Sequence, residues 1–499
     1  MILCALMEPI TSIKRNIVLA VATLSGFIAT FIASAVNVAL PLIEDEFHLS
    51  AVVLDWIPLT YILATGALLL PAGRIGDLFG QMKIFSAGLV GFTALSFASA
   101  FAPSGGVLLA LRAIQGVAGA LLFASNMAIV ALSRPPETRG RALGLLTAGV
   151  YLGTTAGPVL GGVIAHGLGW RGLFLVTGAL ALLTCALTLW KLHGVDWKQP
   201  RTGRFDVFGS VIWAAAFPAL LMGLTLLPGL TGIVLVGGGV SGLAFFLWWE
   251  SQAESPVLQV TLLRHNRAFA FSNMAALINY SATAAMLFLM SLYLQYNQGL
   301  GPREAGLVLV CGTALQAAVS PFAGRLADRL QPRLVAAAGM VLCTLGLLAF
   351  AFLGANTPYW YIIPALCLLG IGFGLFASPI AHLVMGSVDR PQVGVASATL
   401  AAMRVAGQGL SIGAAGLVLA VVVGHHEIDK DSAADLSDLL TSVRTTFAIF
   451  TALCVLGLMA ILAARPSSRR QVQAPLESGE NAEAQERPGT RPLGPPPSV

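Results

Sequence analysis

The chain has 499 residues, of which 57% are hydrophobic and only 10% are charged. Soluble domains usually carry about a quarter charged residues, so this composition excludes a water-soluble surface and predicts that lipid covers much of the protein. The net charge of +5 is spread over short loops, which argues against a nucleic-acid partner, and the six scattered cysteines form no C-x-x-C pair that would indicate a metal ion or a cofactor.

Apolar runs long enough to span a membrane recur along the chain. They predict an all-α membrane protein with 14 transmembrane helices, at 17–42, 54–73, 84–102, 106–132, 142–165, 172–192, 206–227, 231–250, 268–295, 303–326, 333–353, 359–386, 394–423 and 444–465. The first run is longer than the apolar core of a signal peptide, and we therefore interpret it as a spanning helix.

The distribution of Lys and Arg predicts the orientation of these helices. If the N-terminus is cytoplasmic, 22 of the 28 Lys and Arg residues lie in cytoplasmic segments and 4 lie in external loops. We therefore expect a multi-pass protein of the cell membrane with both termini in the cytoplasm. The acidic loop at 424–443, which contains His425 and His426, is interpreted as a solvated loop rather than a metal site.

Two predicted cytoplasmic turns carry the same short pattern. Its residues are Gly73, Arg74, Asp77, Gly80 and Lys83 after the second helix, and Gly324, Asp328 and Arg329 after the tenth. Such a repeat is typical of transporters built from two related bundles. The first segment resembles motif A of the major facilitator superfamily. The resemblance implies a gate in which Asp77 faces the positive N-terminal end of a helix near Gly394 and holds the cytoplasmic side shut; an ordinary basic turn is the alternative.

Arg112 lies well inside the fourth predicted helix, in the segment 111–119. A charge at that depth is costly and requires a polar partner or a wet cavity. The segment resembles motif B of the same superfamily, and we interpret Arg112, together with Gln115, as a coupling or substrate-binding residue. A structural cation bonded to neighbouring carbonyl groups is the alternative.

Six residues of the fifth predicted helix follow the spacing G-x8-G-x3-G-P-x2-G-G. They are Gly144, Gly153, Gly157, Pro158, Gly161 and Gly162. Small residues on one face let a membrane helix pack closely against a neighbour, and the Gly-Pro pair predicts a bend. The spacing resembles antiporter motif C, which implies an exporter rather than an importer, whereas generic close packing is the alternative.

Further segments are similar to the fourteen-spanner drug/proton antiporter family, and the similarity covers residues 17–465. They include 37–41, 170–171, 205–209, 255–264, 292–295 and 394–404. The resemblance implies a cytoplasmic N-terminus at 1–16, six-helix bundles at 17–192 and 251–465, and an inserted helix pair within 193–250. The remaining segment, 466–499, is rich in Pro, Glu and Arg and is predicted to be a disordered cytoplasmic tail.

One position departs from that family. Its members commonly carry an acidic residue in the first helix where this chain has Ile32, and no Asp or Glu is predicted near the middle of any span. The carboxylates of Asp55, Asp206 and Glu304 are predicted near helix ends. Because proton coupling requires a titratable group that is exposed alternately to the two sides, coupled and uncoupled transport both stay open at this stage.

Polar and aromatic residues on central helices are candidates for a cavity that takes amphiphilic compounds. The coupling or substrate candidates are Arg112, Gln115, Asn37, Tyr61, Gln295 and Arg404, with Asn126, Asn279, Tyr280 and Gln316 as further cavity candidates. The resemblance implies proton-driven export of small compounds by alternating access, without enzymatic activity or cofactor, by a protein that functions as a monomer. An uncoupled or importing carrier of an organic solute and a membrane sensor on a transporter scaffold are the alternatives.

Overall fold

The structure is a computed structural model that describes residues 12–195, 205–424 and 432–464. Within these ranges it is helical throughout. The helices are α1 Ser12–Phe47, α2 Ala51–Phe79, α3 Gln81–Ala100, α4 Gly105–Ser133, α5 Pro136–Lys191, α6 Val207–Thr225, α7 Leu230–Gln252, α8 Val260–His265, α9 Arg267–Thr283, α10 Met286–Tyr296, α11 Pro302–Arg329, α12 Pro332–Ala351, α13 Tyr359–Gly386, α14 Val393–Val422 and α15 Ala433–Ala463.

Thirteen helical stretches of the described chain are long and apolar enough to span a membrane, with α9 and α10 together forming one of them. Helices satisfy their own backbone polar groups, which is why apolar sequences of this length are helical in lipid. Helix α5 has 56 residues and would be about 84 Å long if straight, far more than the roughly 30 Å of a hydrocarbon core. Gly169 interrupts it with φ 69° and ψ 176°, a conformation that glycine tolerates and other residues avoid.

The structure corrects several predicted boundaries. Helix α1 extends beyond 17–42 at both ends, the fifth and sixth predicted helices are joined through Gly169, and the ninth is divided at Ala284–Ala285. Helical hydrogen bonding continues into polar residues at the helix ends, which hydropathy alone does not include in a span. The predicted N-terminal segment lies largely outside the described residues, and the predicted tail and the two adjacent histidines lie entirely outside them.

Helix α5 packs closely along α1 because its facing residues are small. A Cβ placed on Gly161 would lie 2.7 Å from the Cβ of Ala35, and the equivalent atom on Gly157 would overlap Ser34. The hydroxyl of Thr30 donates a hydrogen bond of 2.9 Å to the Val150 carbonyl across the same contact. Close approach therefore allows polar side chains of one membrane helix to bond the backbone of the next.

The helices of the N-terminal half (α1–α5) and of the C-terminal half (α9–α15) meet mainly where α14 packs against α2 and α4 and where α5 packs against α11 and α13. Helix α6 lies beside the first of these contacts and touches both halves. The indole of Trp213 on α6 donates to the Gly66 carbonyl of α2 at 3.2 Å. On its other side, a Cβ on Gly409 of α14 would overlap Leu221 of α6. Helix α7 packs mainly against α6.

Candidate transport site and gates

Asp77, at the end of α2, bonds the first turn of α14. Its carboxylate accepts hydrogen bonds from the backbone N–H groups of Gly394 and Val395, both at 2.9 Å. A third bond of 2.9 Å comes from the side-chain amide of Gln81. The first backbone N–H groups of a helix have no partner within the helix, and the helix dipole favours a negative charge there. The contact expected near Gly394 is therefore present, and it joins the two halves.

Asp328, at the end of α11, makes the corresponding contact in the opposite direction. Its two carboxylate oxygens accept from the backbone N–H groups of Gly140, at 2.6 Å, and Arg141, at 2.8 Å, in the first turns of α5. The Nδ1 atom of His382 lies 3.5 Å from the same carboxylate. We refer to the Asp77 and Asp328 contacts as the two latches. Each half contributes one carboxylate and one helix N-terminus, as expected for a repeated unit.

Small residues bring the helices close enough for both latches to form. A Cβ on Gly73 would lie 2.8 Å from the Gly394 carbonyl, and a Cβ on Gly144 would lie 2.6 Å from the Ser320 carbonyl. A Cβ on Gly324 would overlap the Gly140 carbonyl. These glycines therefore act by permitting backbone contact between halves, a role that side-chain chemistry alone does not reveal.

The basic residues of the motif differ in their burial. Arg74 is buried, whereas Lys83 and Arg329 are exposed at the surface of the same end. Gly80 separates α2 from α3 with φ 109°, which a residue with a Cβ rarely adopts. The glycine thus provides the turn that places Asp77 at the end of one helix and Gln81 at the start of the next.

Hydrogen bonds between the two halves lie at one end and in the middle of the molecule. Those at the latch end include the two latches and the bond of 3.3 Å from the Ser378 hydroxyl to the Gly140 carbonyl. A 3.4 Å contact between the hydroxyl groups of Tyr151 and Tyr280 lies deeper. The structure therefore shows the halves joined directly at the latch end.

A narrow cavity lies between the halves. Its walls come from α4 and α5 on one side and from α9, α13 and α14 on the other. The lining residues are Met127, Thr147, Val150, Tyr151, Tyr280, Ala377, Ile380, Leu400 and Arg404. Arg404 is 11 residues into α14, and a rise of 1.5 Å per residue puts it about 16 Å from the latch along the helix axis. Since the hydrocarbon core is roughly 30 Å thick, this distance places the cavity near the middle of a bilayer.

Aromatic rings surround the polar groups of this cavity. The ring of Phe373 makes edge contacts with Tyr151, at 5.5 Å between centroids, and with Tyr280, at 5.3 Å. The guanidinium of Arg404 lies 5.2 Å from the ring centroid of Phe123, on α4 of the opposite half. Aromatic surface with a few polar groups is the usual composition of a site for small organic ligands.

The structure places Arg112 away from this cavity. Arg112 is fully buried within the N-terminal half, where its Nη1 donates to the Gln115 side chain at 2.6 Å and its Nε donates to the Ile57 carbonyl at 3.4 Å. The guanidinium also lies over the ring of Tyr61, 4.5 Å from its centroid. These contacts match the second of our two interpretations of Arg112, in which it is a structural cation bonded to carbonyl and amide oxygens. They do not bring Arg112, Gln115 or Tyr61 to the cavity.

The other predicted site residues are dispersed. The Asn37 amide bonds carbonyl groups of its own helix, and the Gln295 amide bonds Ser291 one turn away. Of the residues selected as coupling or substrate candidates, Arg404 alone lines the cavity, together with Tyr280 from the wider set. Sequence reasoning missed Tyr151 as a cavity residue. The available signal was that Tyr151 lies one turn from Thr147 on a helix with a glycine face.

Glu250, at the end of α7, was also overlooked as an ionisable group. It is 2% exposed, and its carboxylate accepts from the Leu258 backbone N–H at 3.0 Å. A Cβ on Gly209 of α6 would overlap the same carboxylate, so the group is enclosed by the two inserted helices and the segment that leads into α8. It lies close to a helix end rather than in the cavity, so the cavity lining still contains no carboxylate.

Known proteins with similar sequences are membrane transporters. The model of the Major Facilitator Superfamily matches residues 22–263 and 272–496. The multidrug resistance protein Stp of Mycobacterium tuberculosis is 31% identical over 414 residues, which cover 82% of this chain and 76% of that protein. The methylenomycin A resistance protein of Bacillus subtilis is 28% identical over 412 residues, covering 81% and 87%. The crystal structure of the human organic anion transporter MFSD10 (TETRAN) shares the fold, with a TM-score of 0.64, 15% identity and coverage of 90% and 99%.

Proposed function

The chain belongs to the major facilitator superfamily of multi-pass membrane transporters, which are not enzymes, and we propose that it exports small amphiphilic compounds across the cell membrane by alternating access. The observation that carries the proposal is the pair of latches, which join the halves at one end. Breaking these contacts and forming new ones at the opposite end would expose the central cavity to the other side.

The proposed architecture has fourteen spans, since α5 contributes two, one on each side of Gly169. Residues 17–192 and 251–465 would form the two rocking bundles, and α6 and α7, within 193–250, the inserted pair. Both termini and both latches would face the cytoplasm, in accordance with the distribution of Lys and Arg. The structure described above is then the state that is closed toward the cytoplasm, and a monomer contains the whole cavity.

Export is favoured over import by the spacing that resembles antiporter motif C and by the resistance functions in the names of the relatives. We propose that a proton gradient drives it. The carboxylates to examine for coupling are the latch residues Asp77 and Asp328 and the enclosed Glu250, together with Asp55 and Asp206. Glu304 is less suited, because its exposed side chain caps the start of α11 through the Gly301 N–H.

A carrier without proton coupling is the second candidate. It is favoured by the cavity lining, which contains no carboxylate among the described residues, and by Ile32, which is fully buried where an acid would be expected. The two candidates differ in one measurable property: a coupled exporter concentrates its substrate, whereas an uncoupled carrier only equilibrates it.

The test uses inverted membrane vesicles, in which export appears as accumulation in the lumen. Fluorescent amphiphiles of positive, zero and negative charge are supplied with and without a proton gradient, to the parent protein and to the Asp77→Asn variant. We expect accumulation that a protonophore abolishes and that Asp77→Asn reduces, while Glu304→Gln behaves as the parent. If the compounds only equilibrate across the membrane, at a level that the protonophore does not change, the protein is an uncoupled carrier. If no compound is transported, the proposed transport of amphiphiles is overturned.

A further inference from the structure

The central cavity has a pronounced charge asymmetry. Arg404 is the one charged residue among those that line it. In the part of the chain that the structure describes, no Asp or Glu lies within ion-pair distance of its guanidinium, and its recorded neighbour is the ring of Phe123. A guanidinium stays protonated and offers five N–H donors. The cavity therefore presents a permanent positive charge whose donors lack an acidic partner.

Unpaired charges at this depth are costly and are usually found where a ligand or a water-filled path can compensate them. Arg112 differs in its position, because its guanidinium is enclosed within its own half, where it bonds a carbonyl and an amide oxygen while its Nη2 has no hydrogen-bond partner. Arg404 instead extends from the C-terminal half towards α4 of the N-terminal half. It is thus placed where a compound bound between the halves would contact it.

The remaining walls suit an aromatic body rather than a flexible chain. Tyr151 and Tyr280 line the cavity. The ring of Phe373 packs against both of them, with centroid separations of 5.5 Å to Tyr151 and 5.3 Å to Tyr280. Met127, Ile380 and Leu400 complete an apolar surface on which a flat ring can lie. Rings prefer such edge and offset contacts, and a methionine adapts to the outline of the ligand.

Building on the proposed function, we propose that the compounds bound in this cavity are small aromatic acids, whose anionic group pairs with Arg404 and whose ring lies against Tyr151 and Tyr280. Carboxylates and sulfonates match the planar fork of a guanidinium, and the pairing brings charge-assisted hydrogen bonds. A cationic dye placed in the same cavity meets like charge and finds no carboxylate to offset it, so it is the wrong class of substrate.

The test is direct binding to the purified full-length protein in nanodiscs, measured by isothermal titration calorimetry. The probes are 2-naphthoate, 2-naphthamide and 2-naphthylmethylammonium, which share one ring system and differ in charge. We expect the parent to bind the acid about 10-fold or more tightly than the amide, as for other hydrogen bonds to charged groups. The ammonium compound should bind more weakly than the amide.

Variants assign that preference to one residue. Arg404→Gln should remove the difference between acid and amide while leaving amide binding within about twofold, and Arg404→Lys should retain part of the preference because it keeps the charge but loses the fork. Arg303→Gln is the matched control, since it removes the same charge from an exposed position at the start of α11. Thermal unfolding of each variant confirms that a folded protein is compared.

The outcomes separate this inference from the proposed function. Preference for the acid that depends on Arg404 supports the inference even if vesicles show no transport, a result that would overturn the proposed function alone. Equal binding of the three probes, preference for the ammonium compound, no binding of any probe, or an acid preference that survives Arg404→Gln would overturn the inference, whether or not transport is observed.

Discussion

The Asp77 latch can be weakened with a change of one functional group, Asp77→Asn. The carboxylate accepts one N–H of α14 on each oxygen, at 2.9 Å in both cases, and the oxygen that bonds Gly394 also accepts from the Gln81 amide. An asparagine offers one carbonyl oxygen and one NH₂ group, so one of the two helix N–H groups loses its acceptor and the other bonds a neutral oxygen. Hydrogen bonds to charged groups contribute about 1.5–3 kcal/mol each and neutral ones about 0.5–1.5 kcal/mol.

The state closed at the latch end should therefore lose about 2 kcal/mol or more relative to the open state, in which water solvates either side chain. At 25 °C this corresponds to a change of about 30-fold in the ratio of open to closed molecules. Because the halves rock as bodies in the proposed mechanism, opening at Asp77 should also open the contact around Asp328.

Ser378 provides a reporter at that second contact. It is fully buried on α13, and its hydroxyl bonds the Gly140 carbonyl of the opposite half. Ser378→Cys is nearly isosteric, and in a background without the native cysteines its alkylation by N-ethylmaleimide measures opening. We expect Asp77→Asn to raise the alkylation rate about 30-fold, and the control Glu304→Gln, at the opposite end of α11, to leave it within about twofold. An unchanged rate in Asp77→Asn would refute the reasoning.

Three further predictions follow from the packing. Gly161→Ala should lower the free energy of unfolding by about 1–3 kcal/mol, because its Cβ would lie 2.7 Å from Ala35. Gly162→Ala should be tolerated, since the nearest neighbouring atom would be 3.7 Å from its Cβ. Thermal unfolding of the two variants tests this, and equal losses of stability would contradict it. Arg112→Ala should cost about 3 kcal/mol or more without changing the affinity of any transported compound, and an affinity change in a stable variant would place Arg112 in the site. Trp213→Phe should cost about 1 kcal/mol by removing its indole hydrogen bond, measured against the parent by the same unfolding assay.

Much of the fold could be predicted from the sequence because lipid imposes a local rule. Every backbone polar group in the hydrocarbon must be satisfied within its own segment, so an apolar run of sufficient length is a helix whatever its neighbours are. The repeated turns can also be understood from a simple electrostatic rule. A carboxylate at the end of one helix is stabilised by any helix N-terminus that it can reach. The contact of Asp77 with the helix near Gly394 was expected from the resemblance to motif A, and the hydrogen bond from the Gly394 N–H is present.

The composition of the cavity could not be predicted in the same way. Whether a polar residue faces a ligand, a neighbouring helix or its own backbone depends on the rotation of each helix and on which helix packs against it, and these are properties of the whole assembly. Arg112 and Arg404 illustrate the point, because both are single arginines in apolar helices. Only packing encloses the first among amide and carbonyl oxygens and leaves the second without an acidic partner between the halves.

The sequence by itself therefore determined the helical class and nearly all the spans, since each depends on a short segment and on the solvent around it. The tertiary structure alone decided that Tyr151 and Tyr280 meet across the halves and that Asn37 and Gln295 bond their own helices. It also enclosed Glu250 between the inserted helices. The physical reason is that side-chain contacts between helices distant in sequence depend on close packing of many residues at once, which no single segment encodes.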